Sequence, residues 1–139
     1  MIMRVAAALA VLMLAGPATA GVQREYLHPW EKEIGYAQVV RHGKTLYLSG
    51  VTSNGPTLET QMTAVYGEIG RILKAHGLDS RAIVKETIYT LDIEAVKSAI
   101  PVRKAFYKGE VYPSATWVEV RRLYNPDQKI EIEVEAAIP

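Results

Sequence analysis

The C-terminal segment of the chain alternates strictly between apolar and acidic side chains. Ile130, Ile132, Val134 and Ala136 alternate with Glu131, Glu133 and Glu135. Successive side chains of a β-strand point to opposite faces of a sheet, so the pattern predicts a strand with one aliphatic and one carboxylate face. The aliphatic face must be covered by other elements, and we expect helices to cover it.

Four further strands and two helices are predicted upstream. β-type runs occupy residues 36–41, 45–49, 82–91 and 113–122, ahead of the last strand at 129–136. Apolar residues recur at helical spacing over residues 57–75, where Thr57 can cap the first turn, and a second helix is predicted over 92–107. Pro101 should shift or kink that second helix. The order ββαβαββ predicts an α+β fold, a single sheet with two helices on one face.

The carboxylate face has two interpretations. In a small monomer it is wet and its glutamates are solvated. Alternatively, it meets other subunits or lines a cleft. Trp117 is predicted to share a face of its strand with Ala115, and a Trp exposed on a sheet face favours an interface or a pocket.

The N-terminus is typical of a secretory signal. Arg4 precedes an uncharged apolar stretch, and Ala18-Thr19-Ala20 is a small-x-small cleavage site. The apolar stretch is shorter than the roughly 20 residues that span a bilayer. We therefore divide the chain into a signal peptide (1–20), an N-terminal arm (21–34) and one domain (35–139). The protein is predicted to be exported, to the periplasm if its source has two membranes.

Charge and composition exclude several classes of function. The 16 basic residues include Arg4, so the chain after residue 20 carries 15 basic and 15 acidic residues. A neutral domain has no bulk attraction for nucleic acid or anionic lipid, so neither nucleic acid nor, after signal cleavage, a membrane is an expected partner. The three histidines are dispersed and cysteine is absent, so we expect no metal site and no disulfide framework.

Four segments together resemble the Rid family (reactive intermediate deaminases, also called YjgF or L-PSP proteins). They are Gly35-Tyr36-Ala37-Gln38, Leu48-Ser49-Gly50, Lys85 to Ile93, and Pro113 to Val120 with Lys129 to Glu133. The resemblance implies a chorismate mutase-like fold that assembles as a trimer around a barrel-like core, with clefts between subunits. It also implies hydrolysis of imines or enamines of amino acids to 2-keto acids and ammonia, without a cofactor.

Residue by residue, the resemblance assigns Tyr36, Ser49 and Gly50 to the pocket and Glu131 to holding or activating water. The family arginine that grips the substrate carboxylate is replaced by Ala115. Two charge-assisted bonds are lost with it, which weakens the grip by about two to four powers of ten.

Two further residues of the same predicted strand, Trp117 and Arg121, have expected roles. Trp117 replaces a smaller family residue and either fills the substrate space or offers an aromatic wall to another ligand. Arg121 is predicted to lie across a β-hairpin from Glu131 or Glu133 and to neutralise it.

Two functions follow as hypotheses. In the first, an exported trimer binds a small molecule in an intersubunit cleft formed by Tyr36, Ser49, Gly50, Ala115 and Trp117, and lacks efficient imine deaminase activity. In the second, Glu131 is catalytic and a water held by it hydrolyses a different imine, of the 2-iminobutanoate or 2-iminopropanoate type. Ribonuclease activity is disfavoured by the neutral charge.

Overall fold

The structure, a computed structural model, describes residues 21–109 and 111–139. The predicted signal peptide lies outside the described residues. Six strands form one mixed sheet in the order β1-β2-β3-β6-β4-β5. They are β1 (Gln23–Glu25), β2 (Val39–His42), β3 (Thr45–Thr52), β4 (Ile83–Thr90), β5 (Ser114–Glu119) and β6 (Ile130–Ala137). Neighbouring strands are antiparallel except β4 and β5, which are parallel.

Four helices accompany the sheet in the described chain. They are α1 (Pro29–Ile34), α2 (Leu58–Ala75), α3 (Ile93–Ser98) and α4 (Ile100–Phe106). The predicted α+β architecture is confirmed, as is the cap of α2, where the Thr57 hydroxyl oxygen accepts a bond from the Thr60 amide at 3.1 Å. The helix predicted over residues 92–107 is divided at Ala99, because Pro101 has no N–H to continue the hydrogen-bond ladder.

The last strand places its aliphatic side chains in the core, as the alternation predicts. Ile130, Ile132, Val134 and Ala136 are each at most 2% exposed, and they pack with the buried stripe of α2. Glu131, Glu133 and Glu135 lie half-buried on the opposite face, which we call the open face because α2 and the core lie on the other side of the sheet.

The N-terminal arm adds to the sheet instead of lying outside it. Arg24 pairs with Val40 in an antiparallel ladder, so β1 becomes an edge strand. The arm then turns into α1 and returns to β2. A strand of three residues and a helix of six are too short to produce a clear periodic pattern, which is why neither was predicted.

The predicted hairpin between the last two strands is wrong. β5 pairs with β4 alone, and β4 separates it from β6. Arg121 therefore does not face Glu131 or Glu133 across a hairpin. The partners of the outer carboxylates come from β4: the Tyr89 hydroxyl lies 3.1 Å from Glu133 and the Lys85 ammonium 3.5 Å from Glu135.

Trp117 does not lie on the carboxylate face. It is in register with Ile88, which is in turn in register with Ile132, and both isoleucines are fully buried under the helices. Ala115 is in register with buried Glu86, on the same side as Trp117. The prediction failed because it depended on a hairpin pairing that the parallel β4–β5 ladder replaces.

Candidate functional site

A cleft on the open face brings together four of the six predicted site residues. Tyr36, Ser49, Gly50 and Glu131 line a cavity of about 660 Å³ at the end of the sheet where β3 meets β6. Ala115 and Trp117 do not line it. A cavity of this size is sufficient for a small organic ligand.

The position of the Glu131 side chain depends on the glycine at position 50. The β3–β6 ladder is interrupted between Leu48 and Val51, and Gly50 lies in this irregularity. A Cβ atom added at Gly50 would overlap Glu131 Oε1 and would lie 2.7 Å from its Cδ and 2.8 Å from its Cγ. Only glycine therefore allows the Glu131 side chain to cross the β3 backbone toward the cleft.

The Glu131 carboxylate is the electrostatic centre of the cleft. Burial raises its pKa, and the negative charge of Glu133 raises the pKa further. Among the described residues none donates a hydrogen bond to it. A half-buried carboxylate without a donor is arranged to accept a proton or a hydrogen bond from a bound molecule.

Ser49 has a structural contact that sequence reasoning did not foresee. Its hydroxyl donates to the Ala37 carbonyl at 2.8 Å, and its own carbonyl accepts from Gln38 Nε2 at 2.8 Å. These bonds hold the segment that carries Tyr36 against β3. Ser49 therefore shapes the cleft by joining two elements, while its side chain also lines the wall.

One wall of the cleft comes from the N-terminal arm, which supplies Trp30 and Ile34. Buried Glu31 holds this wall, because its carboxylate accepts bonds from the amides of Leu27 (2.9 Å), His28 (3.0 Å) and Gln38 (3.2 Å). Its backbone carbonyl also accepts the Tyr36 amide at 2.9 Å. The Glu31 carboxylate thus joins the residues just before α1 to Gln38, which directly precedes β2.

The opposite wall comes from the segment between β5 and β6, which supplies Tyr124, Asn125 and Gln128. Gln128 donates to the Thr52 hydroxyl at 2.9 Å and accepts the Asn125 amide at 3.1 Å. Gln61 of α2 is fully buried and fastens the same segment, with bonds of 2.8 Å to Asp127 and to Lys129.

Sequence reasoning missed these wall residues for identifiable reasons. Residues 125–127 were predicted as a turn, but a turn pattern does not show which cavity it borders. The position of Trp30 in the arm gave no periodic signal. Buried Gln61 on an otherwise apolar stripe is the clearest signal that was present, since a buried amide needs partners from another segment.

Ala115 and Trp117 lie in a different environment, beside a buried ion pair. Arg103 Nε donates to Glu86 at 2.7 Å, and the Arg103 guanidinium lies 5.4 Å from the Trp117 ring. The hydroxyls of Tyr66 and Tyr107 also donate to Glu86. This cluster joins β4 to α2, and the Glu86 carboxylate within the same chain pairs with the charge of Arg103.

Within residues 21–109 and 111–139, no group of three or more His, Cys, Asp or Glu side chains is arranged to hold a metal ion. No helix in these ranges has the length and apolar character needed to cross a bilayer.

Comparison with known proteins agrees with the fold and the matching residues. The sequence model of the family described as endoribonuclease L-PSP matches residues 29–138, almost the whole described chain. The chain belongs to this family. The name covers the Rid, or YjgF, proteins, so the resemblance seen in the sequence is confirmed.

Solved structures of Rid-family proteins share the fold. A YjgF-family protein from Mycobacterium tuberculosis is 25% identical with a TM-score of 0.78, and the match covers 85% of this chain and 100% of that one. A Rid-family protein from Yersinia pestis is 27% identical with a TM-score of 0.67, covering 75% and 88%. A YjgF-family protein from Neisseria meningitidis is 23% identical with a TM-score of 0.68, covering 87% and 98%. No curated protein matches the chain.

Proposed function

We propose that this Rid-family protein is exported, assembles as a trimer, binds a small molecule in the cleft around Glu131 and lacks efficient imine deaminase activity. One observation carries the proposal: the Glu131 carboxylate faces a cleft of about 660 Å³ with no hydrogen-bond donor from the described residues. A ligand that donates a hydrogen bond would satisfy it. The glycine at position 50 supports this, since any Cβ there would overlap the Glu131 carboxylate at the cleft.

The charge of the cleft argues against an amino-acid-derived imine as ligand. Such imines carry a carboxylate, and no Lys or Arg lines the cleft in the described part of the chain. Ala115, at the position of the family arginine, lies on the other face of the sheet. A substrate carboxylate would therefore meet Glu131 without a cation to compensate.

The name of the family does not make this chain a ribonuclease. The open face carries Glu131, Glu133 and Glu135, and the Lys85 ammonium is already 3.5 Å from Glu135. RNA phosphates would be repelled by this surface, because nucleic-acid binding depends on clustered Lys and Arg.

A catalytic role for Glu131 is the second candidate, favoured by its raised pKa. A carboxylate whose pKa is raised is a stronger base than an ordinary glutamate, so its ionised form can hold a water and take a proton from it as the water attacks an imine carbon. The C=N bond would be replaced by C=O, and the nitrogen would leave as ammonia.

Two measurements test the proposal. The first follows ammonia release from 2-iminobutanoate by the chain 21–139, beside a Rid protein that has the arginine. We expect no rate above the uncatalysed reaction. Turnover at a rate like that of the relative would contradict the claim of lost activity. If the Glu131→Gln variant then lost this turnover, the catalytic role of Glu131 would be favoured.

The second measurement tests binding by NMR shifts of the two tryptophan indole N–H signals. A panel of equal numbers of cationic, neutral and anionic fragments should include compounds that move the Trp30 signal and leave the core Trp117 signal in place. Gly50→Ala should abolish the shifts, because its Cβ displaces Glu131. Gly67→Ala is the control, since a Cβ there meets nothing within 4 Å. If no fragment moves Trp30, the cleft is not a binding site.

A further inference from the structure

The chemical character of the cleft points to a class of ligand, an inference that rests on the binding function proposed above. Glu131 is the one charged side chain that lines the cleft among the described residues. The other polar groups are hydroxyls and amides, and several of them are already bonded to each other, as Gln128 is to Thr52. The cleft therefore offers one negative charge and no positive charge to a ligand.

The neighbourhood of Glu131 strengthens the negative potential. Glu133 is close enough to raise its pKa. A neighbouring depression on the open face, which shares Glu131 with the cleft, is lined by Glu131, Glu133, Arg122 and Tyr89, so one guanidinium is present there beside two carboxylates. In the cleft itself an anionic ligand would meet Glu131 and no cation of the described residues.

Large aromatic side chains at the rim of the cleft are exposed to solvent. Tyr124 is 70% exposed and Trp30 49% exposed, although both line the cleft. The Trp30 ring is stacked on His28, with centroids 4.1 Å apart and planes inclined by 9°. The His28 ring thus covers one face of the Trp30 indole and holds the orientation of the indole. The other face remains available to a ligand. Aromatic faces attract cations that lie within about 6 Å of the ring.

We propose that the ligand is a small organic cation, of the amine or amidine class, whose charged group binds Glu131 and whose flat body packs against Trp30 and Tyr124. The carboxylate supplies a charge-assisted hydrogen bond, which is stronger than a neutral one. The rings cover the apolar part of the ligand, and in turn the ligand covers two aromatic surfaces that water otherwise contacts.

Three probes of the same shape and different charge test this inference: benzamidinium, benzamide and benzoate. Each is titrated into the chain 21–139, and the Trp30 indole signal reports binding while the Trp117 signal serves as the internal reference. We expect benzamidinium to bind about tenfold to a hundredfold more tightly than benzamide, the effect of one charge-assisted bond. Benzoate should bind most weakly.

A matched pair of variants locates the effect. Glu131→Gln should reduce the benzamidinium preference to near unity, whereas Glu135→Gln should leave it unchanged. Both substitutions lie on the open face of β6 and change the net charge equally, so bulk electrostatics cannot explain a difference between them.

Several outcomes would overturn the inference. Equal binding of benzamide and benzamidinium would remove the role of charge. Tighter binding of benzoate than of benzamidinium would show that a cation from outside the described residues determines the charge preference of the cleft. The proposed binding function would survive that result. If none of the three probes moves Trp30 while other fragments do, the ligand is of another class and the proposed binding function survives. If no fragment of any charge moves Trp30, both proposals fail.

Discussion

At the scale of single residues, the three glutamates of β6 differ in how they are satisfied. Glu133 accepts a bond from Tyr89, and Glu135 pairs with Lys85. Glu131 is half-buried like the other two, yet no described residue donates a hydrogen bond to its carboxylate. A carboxylate in this state lowers the stability of the folded chain, and such groups are retained where a ligand or a reaction uses them.

The first prediction concerns the pH dependence of stability. Because the pKa of Glu131 is raised on folding, the folded chain holds this proton more tightly than the unfolded chain. The free energy of unfolding should therefore fall as pH rises above the ordinary glutamate value of about 4.3 and through the raised pKa. Glu131→Gln removes this loss, so its Tm should exceed that of the wild type by a few degrees at pH 7. The difference should vanish near pH 4.

Thermal unfolding followed by circular dichroism measures both effects, with Glu135→Gln as the control. Glu135 pairs with Lys85 at 3.5 Å, and this exposed pair contributes little, so its loss should leave the Tm unchanged or slightly lower at all pH values. A Glu131→Gln variant less stable than the wild type at pH 7 would show that the native carboxylate has a stabilising partner.

At the scale of elements, the cleft is formed where two irregular segments meet a regular sheet. The arm around α1 and the segment between β5 and β6 supply the walls, while β3 and β6 supply the floor. Each irregular segment is held by a buried polar side chain, Glu31 for the first and Gln61 for the second. Buried groups with several partners hold irregular backbone in one conformation, which a binding wall requires.

The second prediction is that Glu31 positions the arm wall. Glu31→Ala leaves three backbone amides without their acceptor. We expect the free energy of unfolding to fall by about 2–4 kcal/mol and the amides of Leu27, His28 and Gln38 to exchange hydrogen faster. Binding of benzamidinium should weaken with the loss of the Trp30 wall. Denaturant unfolding and hydrogen exchange provide the measurements.

Glu33→Ala is the matched control, because Glu33 lies on the exposed side of the same helix. Its amide exchange and probe binding should equal those of the wild type. If Glu31→Ala destabilises the chain without changing exchange in the arm, the arm is held by other contacts and Glu31 acts elsewhere.

At the scale of the whole molecule, the open face carries more apolar surface than a wet face needs. Tyr47 is 40% exposed and Val118 is 36% exposed, beside half-buried glutamates. Exposed aromatic surface on a sheet face favours contact with another chain. This supports the proposed trimer, whose subunits would meet through their open faces and place the cleft near the interface.

The third prediction tests this assembly. The chain 21–139 should sediment as a trimer, and Tyr47→Glu should dissociate it, because the new carboxylate faces Glu135 across the β3–β6 ladder. Tyr26→Glu makes the same change at a residue of similar exposure, 44%, in the arm, and should remain trimeric. Sedimentation velocity distinguishes these species. A monomeric wild type, or a trimeric Tyr47→Glu, would contradict assembly through this face.

Proposed export and the proposed ligand class agree at this scale. The signal-like segment lies outside the described residues, and Glu131 lies far along the chain from it, so the two features are independent. Both agree with the proposed role, which is distinct from the hydrolysis of imino acids that carry a carboxylate. A cleft with a single carboxylate is consistent with that separation.

Much of the fold and part of the site could be predicted from the sequence because periodicity is a local property. The alternation along β6 determined which side chains enter the core, and the helical stripe with its Thr57 cap determined α2 almost to the residue. Membership of the Rid family was predicted from four short segments that occur in the same order as in that family. The same segments named Tyr36, Ser49, Gly50 and Glu131, which the structure brings together.

Strand pairing and the cleft walls were decided only by the tertiary structure. Both β5 and β6 read as strands, but nothing local indicates that β4 inserts between them and pairs with β5 in parallel. Because β5 pairs with β4, Trp117 and Ala115 lie on the helix side of the sheet, since side chains in register share a face. The walls depend on contacts from Gln61 and Glu31 to distant or irregular segments, and such contacts have no period in the sequence.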